Sequence, residues 1–236
     1  DADTEVLTDA GWKYFYSLNG TEKIVTLNPQ TNIMEYQYPT NYLIEDYSGP
    51  MKQIKSKSLD MLVTPNHKLP IYRRGEIKLV EVQNLSSKAK LVRGGQWNGS
   101  SARPDWRFKF MGLFISQGSV CNAGRGNYLT TISQTKQKYM KQIESVLRET
   151  GLHWKKIKDG FRCQNKVLFL ELLQYGKSWE KFIPDEIKAA SPRQIELFLD
   201  YYRLGDGSMH KNQRLYWTTP KRLADGVQEL TLKIGR

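Results

Sequence analysis

The chain has 236 residues, enough for one or two domains with hydrophobic cores of their own. Its net charge of +12 is unevenly divided. Residues 1–100 hold 12 Lys and Arg against 11 Asp and Glu, whereas residues 101–236 hold 24 against 13. A basic second part favours a polyanion such as nucleic acid, without choosing DNA over RNA.

The composition also argues against several other classes of protein. Two cysteines without Cys-x-x-Cys spacing and three scattered histidines make a zinc site improbable and indicate free thiols in a reducing compartment. No segment is apolar over the length that spans a bilayer, and the acidic N-terminus lacks a signal-peptide pattern. We therefore expect a cytoplasmic protein without a membrane partner.

The first hundred residues predict short strands that are separated by turns. The expected strands are residues 21–27, 34–38, 51–54, 61–64, 68–73 and 77–82. Gly11 before Trp12 predicts a tight turn that leads into a packed aromatic ring. The frequency of such strands predicts a compact all-β domain.

From residue 103 onward, helices and strands alternate. The expected helices are residues 107–116, 136–150, 167–175, 192–204 and 220–234, and the expected strands are residues 128–134, 153–158, 161–164 and 214–219. Gly151 is typical of a helix C-cap, and Ser191 followed by Pro192 is typical of a helix start. Asp159 and Gly160 predict a hairpin turn.

Two segments of this second part repeat one pattern. Residues 110–119 (FMGLFISQGS) and 199–208 (LDYYRLGDGS) each predict an apolar helix, then a polar residue, then Gly-Ser and a strand. The polar residues, Gln117 and Asp206, are 89 positions apart, so the chain reads as a duplicated unit. A duplicated helix that brings polar side chains to an approximate two-fold axis suits a two-fold substrate, and duplex DNA is the obvious one.

These two segments resemble the motif of the LAGLIDADG homing endonucleases. The run at residues 181–187 (KFIPDEI) is also similar to that family, especially to its intein-borne members. The resemblance implies an α+β domain over residues 103–236, with an αββαββα unit in each half. By the internal repeat, the last hairpin and helix of the second half are missing, so we expect a fragment or one piece of a two-piece protein.

The resemblance also implies a catalytic centre. The two motif helices would pack side by side through Gly112, Ser116 and Gly205, while Tyr201 replaces a small residue. Asp206 and Gln117 would stand where the family holds Mg²⁺ and activates water on the scissile phosphates. Because an amide is a poor Mg²⁺ ligand, Gln117 predicts a nicking, slow or inactive enzyme.

The resemblance further implies that Lys181 approaches the catalytic centre and that a monomeric pseudo-dimer binds a long double-stranded DNA site through its sheets. Basic residues of the expected strands and turns are the candidates for DNA contact. They are Arg125, Lys155, Lys156, Lys158, Arg162 and Arg214. The alternation of residues 153–164 leaves open which of the lysines face DNA.

The first part of the chain resembles an intein splicing domain, the Hint fold, over residues 1–97. Residues 3–12 (DTEVLTDAGW) are similar to its opening block and residues 62–67 (LVTPNH) to its second block. The resemblance implies that His67 polarises the amide nitrogen that leaves and that Thr64 hydrogen-bonds the same linkage to the flanking host-protein exteins. An intein opens with a nucleophilic Cys or Ser, and the alignment places that residue just before Asp1. Because this nucleophile and the closing His-Asn block are both absent from the sequence, we expect no splicing from it.

Two other interpretations stay open. The second part could be a degenerate LAGLIDADG module that binds DNA, or RNA in the manner of a maturase, without cutting, which Gln117 favours. The first part could retain self-processing while the nuclease has decayed. Taken alone, the Thr-Pro-Asn-His run that ends at His67 is also compatible with a plain turn.

Overall fold

The computed structural model describes residues 3–56 and 59–235. The chain divides into two compact units, Asp1–Trp97 with Gly235–Arg236, and Asn98–Ile234. Within the described residues, no helix is long and apolar enough to cross a bilayer.

The first unit consists of short antiparallel strands. They are β1 (Glu5–Thr8), β2 (Gly11–Tyr14), β3 (Ile24–Asn28), β4 (Ile33–Gln37), β5 (Lys52–Ser56), β6 (Leu59–Val63), β7 (Lys68–Arg73), β8 (Glu76–Glu81) and β9 (Lys90–Leu91). They form three sheets with the orders β2-β1-β3-β4, β5-β6 and β8-β7-β9. Among the described residues of this unit, the helical segments are two 3₁₀ turns, Phe15–Ser17 and Val82–Asn84. The described residues of this unit are therefore all-β, as the sequence predicts.

The strand bounds differ from the sequence prediction near the start of this unit. The prediction missed β1 and β2 as strands and placed a turn at Gly11, but the turn lies at Asp9 and Ala10, and Gly11 begins β2 with a φ of 97°. The hydroxyl of Thr8 accepts from the Ala10 amide and donates to the Gly11 carbonyl, so this side chain closes the turn one residue earlier than expected.

The second unit contains the α-helices of the described chain and two antiparallel sheets. Its elements are α1 (Asp105–Gln117), β10 (Gly118–Asn122), β11 (Tyr128–Ser133), α2 (Gln137–Glu149), β12 (Trp154–Ile157), β13 (Gly160–Gln164), α3 (Lys166–Leu173), α4 (Asp185–Lys188), α5 (Pro192–Asp206), β14 (Gly207–His210), β15 (Gln213–Tyr216) and α6 (Lys221–Lys233). The sheets have the orders β10-β11-β13-β12 and β14-β15. The predicted αββαββα order is present in the first half, with the short α4 added before α5.

Local sequence signals set several helix ends. Ser191 forms a capping box with Gln194 at the start of α5, where Pro192 is the first helical residue. Gly151 follows α2 with a φ of 69°, the left-handed conformation that ends helices. The side chain of Asn165 accepts from the Leu168 amide and so begins α3 at Lys166.

The predicted Asp159-Gly160 turn is off by one residue. Lys158 and Asp159 form the turn, and Gly160 is already the first residue of β13. Gly160 has a φ of 138°, and a Cβ at this position would overlap the carbonyl oxygen of Ile132. A glycine is therefore required here by close approach of the neighbouring strand as much as by the turn itself.

The duplication is visible in the strand register. Gly118 lies opposite Ile132 at the start of the β10-β11 hairpin, and Gly207 lies opposite Tyr216 at the start of the β14-β15 hairpin. Five residues join the first pair of strands, whereas Lys211 and Asn212, both with positive φ, close the second hairpin. The two halves thus share one αββα plan, with a shorter hairpin in the second.

Helices α1 and α5 form the centre of the second unit. A Cβ at Gly112 of α1 would overlap the carbonyl oxygen of Phe198 in α5, and a Cβ at Gly205 of α5 would lie 2.5 Å from Ser116 Oγ of α1. Small residues at these two levels therefore let the helix backbones approach closely. Tyr201 does not prevent this, because Gly112 leaves space for its Cβ.

Candidate functional site

The ends of the two central helices carry the two polar residues of the repeated motif. Gln117 is the last residue of α1 and Asp206 is the last residue of α5, and each is followed by a glycine that begins a strand. Gln134, which is buried, joins the ends: its Nε2 donates to Gln117 Oε1 at 3.2 Å and to the carbonyl of Leu204 at 3.1 Å. Residues that are 89 positions apart in sequence are therefore brought to one place.

Lys181 lies beneath this pair of helix ends with only 4% of its surface exposed. Its ammonium donates to the carbonyls of Phe114 at 2.6 Å and Gly118 at 2.7 Å, which are acceptors at the C-terminal end of α1. Burial lowers the pKa of Lys181 to about 8, although the nearby Asp206 carboxylate acts in the opposite direction. The structure thus places Lys181 beside Asp206.

Asp206 is a partly buried carboxylate among cations. Burial raises its pKa, while Lys181 and Lys136 oppose that rise. Its backbone carbonyl accepts from the Trp217 amide at 2.9 Å, so the residues after β15 are held against the end of α5. Burial, followed by the Asp206 charge, also raises the pKa of the fully buried Tyr202 to about 12.

The two helix ends differ in what they offer to a divalent cation. The Asp206 carboxylate supplies the hard oxygen that Mg²⁺ prefers. The Oε1 of Gln117 already accepts from Gln134, and its Nε2 is buried without an acceptor. Over residues 3–56 and 59–235, no group of three His, Cys, Asp or Glu side chains could hold a metal alone. The residues therefore fit one cation at Asp206 whose coordination is completed by water and substrate phosphates, and they do not fit a second at Gln117.

A pocket of about 430 Å³ opens beside Asp206. Its lining combines the ends of the central helices with the loop before α4 and the segment between β15 and α6. The lining residues are Ile115, Ser116, Ser178, Trp179, Lys181, Asp206, Trp217, Thr218, Thr219, Pro220 and Leu223. A carboxylate, an ammonium, hydroxyl groups and two tryptophans therefore meet in one cavity.

Strand register assigns the basic residues of the larger sheet to its two faces. Lys155 lies opposite Arg162, and Arg162 lies opposite Thr131, so these three share one face. Phe161, which is buried, points to the other face, and Lys156 lies opposite it. Lys155 and Arg162 are thus the residues of this hairpin on the outer face of the sheet.

The remaining DNA-contact candidates lie in turns or on the inner side. Arg125, with a φ of 50°, is in the exposed loop between β10 and β11, and Lys158 is in the turn between β12 and β13. Arg214 is on the same face of its hairpin as Tyr216, which packs on the buried Tyr202, and it pairs with Asp200 of α5 at 3.2 Å. Arg214 therefore faces the helices rather than the outer surface of the sheet.

Thr64 and His67 lie in the first unit, in the turn between β6 and β7. The His67 amide donates to the Thr64 carbonyl at 3.1 Å, and the His67 side chain is exposed. The opening block forms β1 and β2, which belong to a different sheet from either of those strands. Strand pairing therefore places Thr64 and His67 in one turn but does not join that turn to the opening block.

Sequence reasoning missed four residues of the site: Gln134, Lys136, Trp179 and Trp217. Gln134 acts through contacts 17 and 70 residues away along the chain, and no local pattern marks such a bridge. Trp217 had a usable signal, because it lies within the strand that the internal repeat predicts, residues 214–219, although β15 ends one residue before it. Trp179 follows the third helix without any periodic pattern.

Comparison with protein-family models gives no match. The chain is 24% identical over an alignment of 281 residues to the ATP-dependent Clp protease proteolytic subunit of Chlamydomonas moewusii, which covers 99% of this chain and 27% of that protein. It is 24% identical over 133 residues to the DNA polymerase of Methanocaldococcus jannaschii, with coverages of 54% and 8%. It is 37% identical over 68 residues to the DNA-directed RNA polymerase subunit beta C-terminal section of Stigeoclonium helveticum, with coverages of 28% and 6%. The chain thus spans about a quarter of the first relative and less than a tenth of the other two.

Solved structures give partial matches. The AceL NrdHF class 3 split intein is 20% identical with a TM-score of 0.29, and the match covers 36% of this chain and 55% of that one. The homing endonuclease I-DmoI in complex with DNA and Mn is 17% identical with a TM-score of 0.40, with coverages of 54% and 76%.

Proposed function

We propose that the chain is an intein-type element and that its second unit is a LAGLIDADG-type endonuclease, which binds double-stranded DNA and hydrolyses a phosphodiester bond with a divalent cation, Mg²⁺ in the cell. The observation that carries this proposal is the junction of the two repeated helix ends. Gln134 bridges Gln117 to the end of α5, and the Asp206 carboxylate lies there with the buried Lys181. Because only one of the two related helix ends carries a carboxylate that can hold a cation, we expect the enzyme to nick a single DNA strand.

The relatives support the intein part of the proposal. Their names describe a protease subunit, a DNA polymerase and an RNA polymerase subunit, and this chain matches only 27%, 8% and 6% of their lengths. Sequence that matches small parts of such different proteins need not carry their named activities. It has the distribution expected of an element that is inserted into host proteins.

Each residue of the second unit has a distinct part in this proposal. A bound divalent cation would supply Lewis-acid activation of the phosphate and of a water molecule. Asp206 would hold that cation, while Lys181 neutralises the C-terminal end of α1 close to the substrate phosphates. Lys155 and Arg162, on the outer face of the larger sheet, would neutralise phosphates of the duplex, with Arg125 and Lys158 at its margins.

Binding and strand cleavage test the endonuclease proposal. The full chain is used to select DNA duplexes from a random library, and the selected site is placed in a supercoiled plasmid. We expect binding that weakens steeply with salt and Mg²⁺-dependent conversion of the plasmid to open circles, which EDTA prevents. Linear DNA as the first product would contradict the single-carboxylate site, and failure to retain any duplex at low salt would overturn the proposal.

The second candidate function is binding without cleavage, and one observation favours it. The oxygen of Gln117 is uncharged and already accepts from Gln134, so one helix end offers only a weak ligand for a cation. In that case the selected duplex binds in Mg²⁺ but stays intact after long incubation. The same selection with structured RNA distinguishes a maturase-like role from DNA binding, because a maturase-like protein would retain RNA in preference to DNA.

For the first unit we propose peptide-bond activation by Thr64 and His67 at the junction with the host protein. The support is their common turn, which exposes the imidazole. We fuse a host segment followed by Cys in front of Asp1, so that the Cys thiol can attack the carbonyl of the preceding residue and form a thioester while its own nitrogen becomes the free amine. We expect added thiol to release the host segment at this linkage, and we expect His67→Ala to slow the release. Equal rates with and without the imidazole would contradict this role.

A further inference from the structure

We propose that the pocket beside Asp206 binds one unstacked nucleobase of the DNA, with Trp179 and Trp217 as its stacking surfaces. The inference rests on the proposed function of the same site and names a contact that the endonuclease resemblance does not assign. Both tryptophans line the pocket, and Asp206 and Lys181 line it with them. A base would therefore lie next to the cation-binding carboxylate.

The exposure of these two rings needs an explanation. Trp179 is 62% exposed and Trp217 is 56% exposed, whereas the other four tryptophans of the chain are at least partly covered. A large apolar ring that is open to solvent at the mouth of a pocket with a carboxylate is typical of a binding site. Aromatic rings stack on any nucleobase, because every base has a π-face.

The segment that carries Trp217 is fixed before any ligand arrives. Its backbone amide donates to the carbonyl of Asp206 at 2.9 Å, and its carbonyl accepts from the buried Tyr202 hydroxyl at 3.2 Å. Both contacts are to α5, so the position of the ring follows the position of the catalytic carboxylate. Fixing a platform in advance reduces the entropy that binding must overcome.

The Trp179 segment is a closed turn. The Glu180 amide donates to the Lys177 carbonyl at 2.9 Å, and the Lys177 amide donates to Glu180 Oε2 at 2.8 Å. The Lys177 ammonium lies 5.2 Å from the centre of the Trp179 ring. Lys177 lies over one face of this ring, and its charge suits the phosphate of a nucleotide whose base stacks nearby.

The remaining lining combines polar side chains with the apolar Ile115, Pro220 and Leu223, which suits the polar edges and apolar faces of a base. Hydroxyl groups of Ser178, Thr218 and Thr219 line the same pocket and can exchange hydrogen bonds with base edges. The volume of about 430 Å³ falls in the range of small-molecule sites, ~300–1,000 Å³.

The two halves of the unit support the same conclusion by contrast. In the larger sheet, the outer face carries Lys155 and Arg162. In the β14-β15 hairpin, Tyr216 and Arg214 share one face of the two strands. The other face has no Lys or Arg from these strands, and its residues are Ser208, His210, Gln213 and Leu215. The first half therefore offers phosphate contacts, while the second half offers Trp217 and its pocket.

The experiment compares two labelled duplexes that differ by a single unpaired nucleotide in the middle of one strand. Binding of the full chain at low salt is measured by fluorescence anisotropy. We expect the bulged duplex to bind about tenfold more tightly, which is the size of one base–aromatic stack. A 2-aminopurine at the unpaired position should change its fluorescence when the base stacks.

Variants then assign the effect to the pocket. Trp179→Ala and Trp217→Ala should each weaken binding of the bulged duplex more than binding of the paired duplex and so remove the preference, while Trp217→Phe should keep most of the preference. Tyr16→Ala, which removes a ring that is 65% exposed in the first unit, is the matched control and should change neither. Circular dichroism checks that each variant is folded.

The outcomes separate this inference from the proposed function. Equal affinity of the unaltered chain for both duplexes would overturn the base pocket and leave duplex binding intact. Equal weakening of both duplexes by the Trp→Ala variants would also overturn it, because the rings would then serve binding in general. Absence of binding to either duplex would overturn the proposed function and the pocket together.

Discussion

The two motif helices end in the same frame but with different chemistry. Each helix is followed by a glycine that begins a hairpin and pairs near the end of its second strand. Each helix also has a glycine where it contacts the other helix. The end of α1 carries a neutral amide whose oxygen is occupied, whereas the end of α5 carries a carboxylate beside a pocket.

This comparison teaches that backbone geometry and chemistry are set by different residues. Gly112 and Gly205 determine how closely the helices approach, so they fix where both side chains stand. The identity of residues 117 and 206 then decides what each end can bind. A duplicated fold can therefore keep its symmetry while its two sites diverge, and the following predictions test how far they have diverged.

The largest effect is expected from Asp206→Asn. The variant keeps the shape of the side chain but removes the charged oxygen ligand, so nicking of the selected plasmid should fall by at least ~100-fold while DNA binding persists. Asp200→Asn, on the same helix and paired with Arg214, is the matched control and should keep its nicking rate within a few-fold. Equal losses in both variants would mean that Asp206 acts only through folding.

Gly112→Ala tests the close contact between the helices. In an open helix this change stabilises by up to ~1 kcal/mol, but here the added methyl would overlap the Phe198 carbonyl. We expect a net loss of ~1–3 kcal/mol in the free energy of unfolding, measured by urea denaturation. Ser145→Ala, on the exposed face of α2, should stay within ~0.5 kcal/mol of the original chain. Stabilisation by Gly112→Ala would refute the tight contact.

Arg162→Ala tests the phosphate-binding role of the outer sheet face. Loss of one phosphate contact should lower the slope of log affinity against log salt by ~1. Lys141→Ala, on the exposed face of α2, should leave that slope unchanged. A slope that changes equally in both variants would indicate a diffuse charge effect instead of a bound phosphate.

The last effect concerns the pH dependence of stability. The folded-state pKa of Lys181, about 8, lies below its ordinary value of 10.5, so the unfolded chain binds more protons between these values. Lys181 should therefore penalise folding below pH 8, and this penalty should decrease as the pH rises from 8 towards 10.5. Comparison of the original chain with Lys181→Met by denaturation at several pH values measures it, and a parallel pH profile in the two would contradict the buried ammonium.

Local signals in the sequence predicted most of the second unit. Pro192, Ser191 and Gly151 marked helix ends, and the repeat located both motif helices. The short α4 was missed because four residues show no helical period. The turn at Lys158 was misplaced by one residue, since the requirement for Gly160 comes from the neighbouring strand and not from the turn alone.

The candidate site was only partly predictable. Gln117, Asp206 and Lys181 were identified from motifs, and the structure brings them together. The bridge by Gln134 and the pairing of Arg214 with Asp200 depend on tertiary contacts between elements that sequence periodicity does not join. The face of each lysine in residues 153–164 became clear only from the register of β12 with β13.

The most direct test of the account is strand-resolved cleavage of the selected DNA site by Gln117→Glu. A carboxylate at the end of α1 would give both helix ends an oxygen ligand for a cation. We predict that the original chain cuts one strand and that the variant cuts both, with Asp206→Asn in the variant background cutting only the other strand. If the original chain cuts both strands at similar rates, or if the variant gains no second cut while remaining folded and bound to DNA, the proposed difference between the two helix ends is wrong.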